Sequence, residues 1–198
     1  ISLNNGVALY HRNLGELCRR LGRLDEAVAA GKCATELAPN DLDAHYNFGL
    51  ALTDRREWAS AISAYRRALE LNPQHGLSWN NLGTALERQG DLIQAETAYA
   101  KAVALNPKHI EAQNNLGVIY SEQGRLEEAC HCFEAAIRAT PDFTEAHYNL
   151  SSLKTYRADD PHLRHLESSL HKAADLPIKV RIRYWFALGK AREDVGRF

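Results

Sequence analysis

The sequence lacks any long uninterrupted run of apolar residues, since its longest apolar stretches span only a few residues. A helix that crosses a bilayer needs roughly 20 consecutive apolar residues, so no membrane-spanning segment is predicted. The first residues also lack the basic region and the long apolar region of a secretory signal peptide. A secretory signal peptide is therefore not expected either.

The chain also lacks an excess of charge of either sign, because 24 basic and 25 acidic side chains give a formal net charge of −1. A nucleic-acid-binding protein usually carries a basic surface, so nucleic acid is not expected as a partner. Its four cysteines do not have the spacing of a disulfide framework in a chain of 198 residues. Reduced thiols in a cytoplasm are predicted for Cys18, Cys33, Cys130 and Cys132.

A period of 34 residues organises what the sequence does contain. Four independent series of identical residues recur at this interval, and repeats of 20–50 residues indicate a solenoid or an array. The series are Gly15, Gly49, Gly83, Gly117; Ala27, Ala61, Ala95, Ala129; Ala34, Ala68, Ala102, Ala136; and Pro39, Pro73, Pro107, Pro141.

Each unit reads as two helices. In the third unit, Trp79, Leu82, Gly83 and Leu86 lie on one face of a helix, and Gly90 provides a left-handed stop. A second apolar stripe follows, and the next proline ends it. Glycine inside a helix costs roughly 1 kcal/mol relative to alanine, so its recurrence predicts a contact with no room for a Cβ.

These residues resemble the tetratricopeptide repeat (TPR) family, whose pattern is W-x2-L-G-x2-Y…A-x3-F…P. The resemblance implies an all-α fold, a right-handed α-solenoid superhelix of antiparallel helix pairs. Complete repeats are predicted at residues 8–41, 42–75, 76–109 and 110–143. Residues 1–7 are interpreted as the tail of a preceding repeat, residues 144–181 as a degenerate, stretched repeat, and residues 182–198 as the first helix of a truncated repeat.

The same alignment reveals a row of asparagines, seen locally in "WNNLG" at residues 79–83 and "QNNLG" at residues 113–117. Asparagine is a mediocre helix former, yet Asn13, Asn47, Asn81, Asn115 and Asn149 occupy one position in five successive units. Each carboxamide offers two donors and an acceptor, which match the N–H and C=O groups of an extended peptide.

The row resembles the asparagine ladder of O-linked N-acetylglucosamine transferase. That resemblance implies a protein or peptide ligand held by its backbone in a concave groove. Capping or bridging of neighbouring helices is the alternative role. Residues expected to add selectivity are Tyr46, Asn80, Asn114, Tyr148 and Arg88.

No catalytic, cofactor or metal site is predicted in this chain. No phosphate-binding loop or hydrolase motif occurs, and Cys130 and Cys132 point about 200° apart on a helix. One of the two is expected to be buried and the other exposed. His162 and His165 are spaced to share a metal, but solvated histidines are expected, because no further ligands complete a set.

The C-terminal segment, residues 150–198, resembles the connector of bacterial proteins that fuse TPR arrays to a sulfotransferase domain; the strongest part is "FALGKAREDVGRF". The resemblance implies a substrate- or partner-recognition arm of a larger enzyme. The alternatives are a scaffold or assembly protein without catalysis, and the arm of a protein glycosyltransferase. End-to-end self-association is also expected, because Tyr184, Trp185, Phe186 and Leu188 lack a partner helix.

Overall fold

The computed structural model describes residues 2–169 and 177–197, and the fold is all-α. Within these residues there are eleven helices and no strand. The helices are α1 (Ser2–Arg20), α2 (Leu24–Leu37), α3 (Leu42–Asp54), α4 (Trp58–Leu71), α5 (Gly76–Gln89), α6 (Leu92–Leu105), α7 (Ile110–Glu122), α8 (Leu126–Ala139), α9 (Thr144–Leu153), α10 (Pro161–Ser168) and α11 (Ile178–Asp194).

The helices form two compact units, Ile1–Asn106 and Pro107–Phe198. In the first unit α1 packs on α2, α3 on α4 and α5 on α6, while α2 also contacts α3 and α4 contacts α5. In the second unit α7 packs on α8, α8 contacts α9, and α11 packs on both α9 and α10. The helix pair is therefore the packing element in each unit, as the 34-residue period predicts.

The recurring glycine meets an aromatic ring from the second helix of its own repeat. A Cβ added at Gly83 would lie 2.7 Å from the ring of Tyr99, and one added at Gly117 would lie 2.6 Å from the ring of Phe133. Both rings are fully buried. The predicted close contact is confirmed, and an aromatic ring makes it.

The first repeat replaces this ring with a second glycine. Gly31 stands where later repeats have Tyr65 or Tyr99, so backbone atoms of α2 approach Gly15 instead. The space beside Gly31 is taken by Phe48 of the next repeat, since a Cβ on Gly31 would lie 2.8 Å from that ring. The ring that fills this space therefore belongs to α3, the first helix of the next repeat, and not to α2.

The turn inside each complete repeat needs one residue in the left-handed region. Gly90 ends α5 with φ of 91°, as predicted, and Gly22 and Gly124 have φ of 74° and 76°. The second repeat has Arg56 at this position, with φ of 64°. A left-handed conformation strains a residue that has a Cβ, so the turn geometry is imposed by the packed helices.

Each first helix from α3 to α9 is tied to the proline before it by a side-chain N–H six residues further on. Because a carbonyl oxygen only accepts, the side-chain nitrogen must donate. The donors are His45, Trp79, Gln113 and His147, and the acceptors are the carbonyls of Pro39, Pro73, Pro107 and Pro141, at 3.0, 2.8, 3.2 and 2.7 Å.

Two predicted boundaries differ from the structure. Residues 2–7 are not a separate tail, because α1 runs without interruption from Ser2 to Arg20. The last helix begins at Ile178, directly after the helix-starting Pro177, rather than at residue 182. The stretched repeat contains α9, an extended connector at residues 154–160 and the short α10. Residues 170–176 of that repeat lie outside the described residues.

The cysteines divide by burial. Among the described residues all four are free, with Cys18 and Cys132 buried and Cys33 and Cys130 partly buried. The expectation that one of Cys130 and Cys132 is exposed is wrong, since Cys130 is partly buried against a core cluster of α8 and α9 residues. No helix among the described residues is long and apolar enough to cross a bilayer.

Candidate functional site

The asparagine row lies on the first helices of the repeats, as the alignment predicts. In the first unit Asn13, Asn47 and Asn81 lie on α1, α3 and α5, and in the second unit Asn115 and Asn149 lie on α7 and α9. Asn13 is exposed and the other four are partly buried. In α11 the equivalent position is Ala187, which is fully buried, so the row does not continue there.

In the first unit, Asn81 connects two repeats. Its Nδ2 donates to the hydroxyl of Tyr46 on α3 at 3.2 Å, and its Oδ1 accepts from Nδ2 of Asn80 at 3.2 Å. Part of its hydrogen-bonding capacity is therefore used inside the protein. The bridging alternative for the asparagine row is confirmed at this position.

In the second unit, Asn149 makes the equivalent connection. Its Nδ2 donates to Oδ1 of Asn114 on α7 at 3.0 Å. Each bridge joins an asparagine to the residue 35 positions earlier, which precedes the asparagine of the previous repeat. Alanine could not make these bonds, so both residues have a structural role that periodicity alone does not reveal.

Two asparagines keep their full hydrogen-bonding capacity. Within the described residues, the side chains of Asn13 and Asn47 make no hydrogen bond. They occupy one position in adjacent repeats of the first unit, where α1 also contacts α3. The amides available to a ligand are therefore concentrated on α1 and α3.

The predicted selectivity residues that directly precede asparagines of the row are two buried asparagines and two tyrosines. Asn80 and Asn114 are buried, so the expected role of direct ligand contact does not fit them; they support the neighbouring amides. Tyr46 is partly buried between Tyr65 and His75, with ring centroids at 6.2 and 5.1 Å, and burial raises its pKa.

Tyr148 in the second unit is exposed at the surface. Its ring lies 4.7 Å from that of Phe186 on α11. Phe186 occupies the position in α11 that Tyr148 occupies in α9, so two successive first helices place aromatic rings side by side.

A charge network follows the asparagines in the first unit. Arg19 donates to Glu16 at 2.8 Å and to Asp54 on α3 at 3.0 Å. The hydrogen bond from Arg19 lowers the pKa of Glu16. Because these charges neutralise one another, they join α1 to α3 and do not form a surface of a single sign.

Arg88 differs from these charges. It is exposed at the end of α5 and forms no ion pair with any described residue. The neighbouring Glu87 accepts a hydrogen bond from the Tyr99 hydroxyl at 2.7 Å. Of the two, Arg88 is the one whose charge remains available.

Comparison with known proteins agrees with this geometry. Residues 7–182 match the family described as the cilia and flagella-associated protein 70 C-terminal domain, a TPR domain. The chain belongs to this TPR family. The comparison with curated proteins gave no match for this chain.

Solved structures show the same fold. MamA from Desulfovibrio magneticus RS-1 is 24% identical with a TM-score of 0.72, covering 85% of this chain and 97% of that one. YrrB, described as a TPR protein with an unusual peptide-binding site, is 23% identical with a TM-score of 0.65, covering 94% and 86%. The first TPR of Spaghetti (RPAP3), bound to the HSP90 peptide SRMEEVD, is 23% identical with a TM-score of 0.59, covering 61% and 95%.

A buried chain of hydrogen bonds in the second unit was missed by the sequence analysis. Tyr156 in the connector and His162 on α10 are joined at 2.7 Å, and Nε2 of His162 lies 2.6 Å from Nδ1 of His147. Because Nε2 of His147 must donate to the Pro141 carbonyl, its Nδ1 accepts in the neutral form. The hydroxyl of Tyr156 therefore donates to His162, and His162 donates to His147.

This chain corrects the expectation that His162 is solvated. The rings of His147 and His162 are stacked, with centroids 4.9 Å apart, and both are buried. Burial lowers the pKa of His147, and it lowers that of His162 to about 3. One feature of the sequence could have indicated this chain. His147 occupies the position of Trp79 and Gln113, which donate to the proline carbonyls.

The described residues offer little reactive chemistry. No group of three or more His, Cys, Asp or Glu side chains within them could hold a metal ion. Burial raises the pKa of Cys132 to about 11 and also raises that of Cys130, so both remain thiols near neutral pH. The thiolate is the nucleophilic form of cysteine, and neither residue is poised for nucleophilic attack.

Proposed function

We propose that this TPR domain is a protein-interaction module that holds an extended peptide along its first helices. The carrying observation is the asparagine row, in which the amides of Asn13 and Asn47 have unused hydrogen-bonding capacity on adjacent repeats. Solenoid repeats use such extended surfaces for binding. A carboxamide can pair with both the N–H and the C=O of a peptide backbone.

The asparagines of the row have two roles, ligand contact and bridging between repeats. Asn13 and Asn47 contact the backbone of the ligand, whereas Asn81 and Asn149 primarily fix adjacent repeats in register through Tyr46 and Asn114. Helices pack about 8–10 Å apart, which corresponds to about three residues of extended chain at about 3.3 Å each. The ligand is therefore read mainly through its backbone.

Two of the similar structures are consistent with a peptide ligand. YrrB is described as having a peptide-binding site, and the RPAP3 repeat was solved with an HSP90 peptide. In this chain Glu16 and Asp54 are held by Arg19, so the flanking charge is mixed. A uniformly acidic or basic peptide is not the ligand that this surface favours. Arg88, in the same unit as Asn13 and Asn47, adds side-chain selectivity.

The binding test uses a peptide selected from a random 12-residue phage library on the purified protein. The double variant Asn13→Ala/Asn47→Ala should weaken its binding about tenfold, since each hydrogen bond contributes about 0.5–1.5 kcal/mol. N-methylation of alternate backbone amides in the peptide should have a similar effect. The helical circular dichroism signal should not change.

The matched control is Gln89→Ala, which removes an exposed carboxamide from the end of α5, outside the row. It should leave the affinity for the selected peptide unchanged. Unchanged affinity of the double variant would refute backbone recognition by these asparagines.

A more specific proposal concerns the role of this TPR domain in the full-length protein. The resemblance of residues 150–198 to a sulfotransferase connector supports a role as the substrate- or partner-recognition arm of a bacterial cytoplasmic enzyme. A sulfate-transfer assay with the full-length protein tests it. Absence of transfer, with retained peptide binding, would assign the same module to a scaffold or assembly protein.

A further inference from the structure

The last helix exposes fewer apolar side chains than the sequence predicts. Trp185 and Phe186 are exposed, whereas Tyr184 and Leu188 are buried in a cluster with residues of α10. The expected exposure of these four side chains is therefore correct for two of them. Apolar surface that helices of this chain flank on both sides lies elsewhere, in grooves between the second helices of adjacent repeats.

One such groove lies inside the first unit, between α4 and α6. Its volume is about 400 Å³, which is within the range of small-molecule pockets. Its floor consists of the buried side chains of Leu69 on α4, Leu82 and Leu86 on α5, and Ala98 on α6. The indole of Trp79 also lines the groove. The groove therefore offers a ligand an apolar floor held by three packed helices.

One arginine at the edge of this groove retains most of its hydrogen-bonding capacity. Nη2 of Arg66 donates to Oε1 of Gln94 at 2.7 Å, a bond that joins α4 to α6. The guanidinium has five N–H donors, and within the described residues this bond uses one of them. Arg66 forms no ion pair with any described residue. Its charge and its remaining donors are therefore available to a ligand.

The acidic side chains near Arg66 are held by other groups. Glu70, which also lines the groove, pairs with Arg67 at 2.8 Å. Asp91 does not line the groove, and it accepts hydrogen bonds from the side chain of Gln94 at 2.5 Å and from its backbone N–H at 3.1 Å. Each carboxylate has a donor of its own, so Arg66 is the charged group of this groove that lacks an ionic partner among the described residues.

The equivalent groove of the second unit has no such cation. It has a volume of about 480 Å³, and Glu134 occupies the position of Arg66, 68 residues later in the sequence. Glu134 pairs with Arg138 at 3.8 Å, and Lys154 pairs with Asp160 at 2.8 Å. The arginine and the lysine that line this groove therefore both have acidic partners, which selects the groove of the first unit for an anion.

We propose that the groove between α4 and α6 binds a small apolar carboxylate, with its apolar group on the leucine floor and its carboxylate on Arg66. A guanidinium can hold a carboxylate through two parallel hydrogen bonds. The volume of the groove is at the small end of the range of ligand pockets, so it suits a small molecule rather than a helix. Neither Asn13 nor Asn47 lines this groove, so the proposal does not depend on the peptide ligand.

The probe is 1-naphthaleneacetate, and the readout is the indole N–H signal of Trp79 in an NMR titration of the ¹⁵N-labelled 198-residue protein. Binding should shift this signal with a Kd below about 1 mM, while the indole signals of Trp58 and Trp185 stay in place. The uncharged analogue 1-naphthaleneacetamide should bind about tenfold more weakly, because a hydrogen bond to a carboxylate is stronger than one to a neutral amide.

The protein variant Arg66→Gln should weaken naphthaleneacetate binding about tenfold and should remove the preference for the acid over the amide, because the charge on the guanidinium is lost. Its matched control is Arg20→Gln, which removes an exposed arginine of α1 in the same unit and should change neither. A Trp79 signal that does not move, equal affinity for acid and amide, or unchanged binding by Arg66→Gln would overturn the proposal.

Discussion

In the fourth repeat, α7 and α8 meet through the Phe133 ring, which lies against Gly117. In the fifth repeat the corresponding residue of α9 is Ser151, whose buried hydroxyl donates to the Tyr148 carbonyl at 2.8 Å. Instead, the connector and α10 are joined to α9 by the hydrogen-bonded chain of Tyr156, His162 and His147.

This difference shows that one repeat pattern can be stabilised by two kinds of interaction. The ring and glycine contact depends on shape, because a buried interior is close-packed and tolerates little added volume. The hydrogen-bonded chain depends on protonation, because each imidazole must be a donor on one nitrogen and an acceptor on the other. The fourth repeat should therefore respond to changes in volume and the fifth to changes in pH.

The largest effect is expected from adding one methyl group at Gly117. Gly117→Ala should lower the free energy of unfolding by about 3 kcal/mol, because the Cβ would overlap a ring that cannot move freely. The same change at Gly189 of α11, where an added Cβ would meet no described atom within 4 Å, should raise stability by about 0.5–1 kcal/mol through its effect on helix propensity. Urea unfolding followed by circular dichroism measures both. A stabilising Gly117→Ala would contradict the packing described above.

The regular repeats were predictable because their determinants recur in register. Gly83, Tyr99 and Pro107 belong to a pattern that repeats every 34 residues, so helix pairs, their turns and the close contact follow from the sequence. The bridge from Asn81 to Tyr46 does not, because it depends on how two repeats are aligned in space. Periodicity identifies equivalent positions and does not identify their partners.

The fifth repeat was less predictable for the same reason. The sequence spacing pairs His162 with His165, its neighbour on one helix, whereas its partners are Tyr156 in the connector and His147 on another helix. The start of α11 at Ile178 was also missed. Where the period is broken, the sequence offers no equivalent position from which to infer a contact.

The second effect is a loss of stability in acid. Because burial holds the pKa of His162 at about 3, its imidazole stays neutral in the folded protein, whereas in the unfolded chain it is protonated below about pH 6.5. The unfolded state then binds more protons, so stability is complete above about pH 6.5 and falls towards pH 3. The loss is about 1.4 kcal/mol per pH unit, or about 2 kcal/mol at pH 5.

Two substitutions separate this effect from general acid sensitivity. His162→Gln should flatten the dependence of unfolding free energy on pH between 7 and 5, because the titrating group is removed. His131→Gln, at an exposed histidine of α8, should leave the slope as it is. Hydrogen exchange should locate the change in α9 and α10 and not in α3–α6. Equal slopes in the two variants would show that His162 is not the responsible group.

The smallest expected change in stability distinguishes two asparagines that occupy the same position in successive repeats, Asn47 and Asn81. Asn81→Ala removes the bond to Tyr46, and since a net hydrogen bond contributes about 0.5–1.5 kcal/mol, unfolding should become easier by about 1 kcal/mol. Asn47→Ala should change stability by less than about 0.5 kcal/mol, because Asn47 makes no side-chain hydrogen bond within the described residues. Peptide binding should follow the opposite order, with Asn47→Ala the more harmful change. If Asn47→Ala instead reduced stability as much as Asn81→Ala, the division between bridging and ligand-contacting asparagines would be wrong. Substitution of a side chain that makes no hydrogen bond to the described residues removes no hydrogen bond from the folded state.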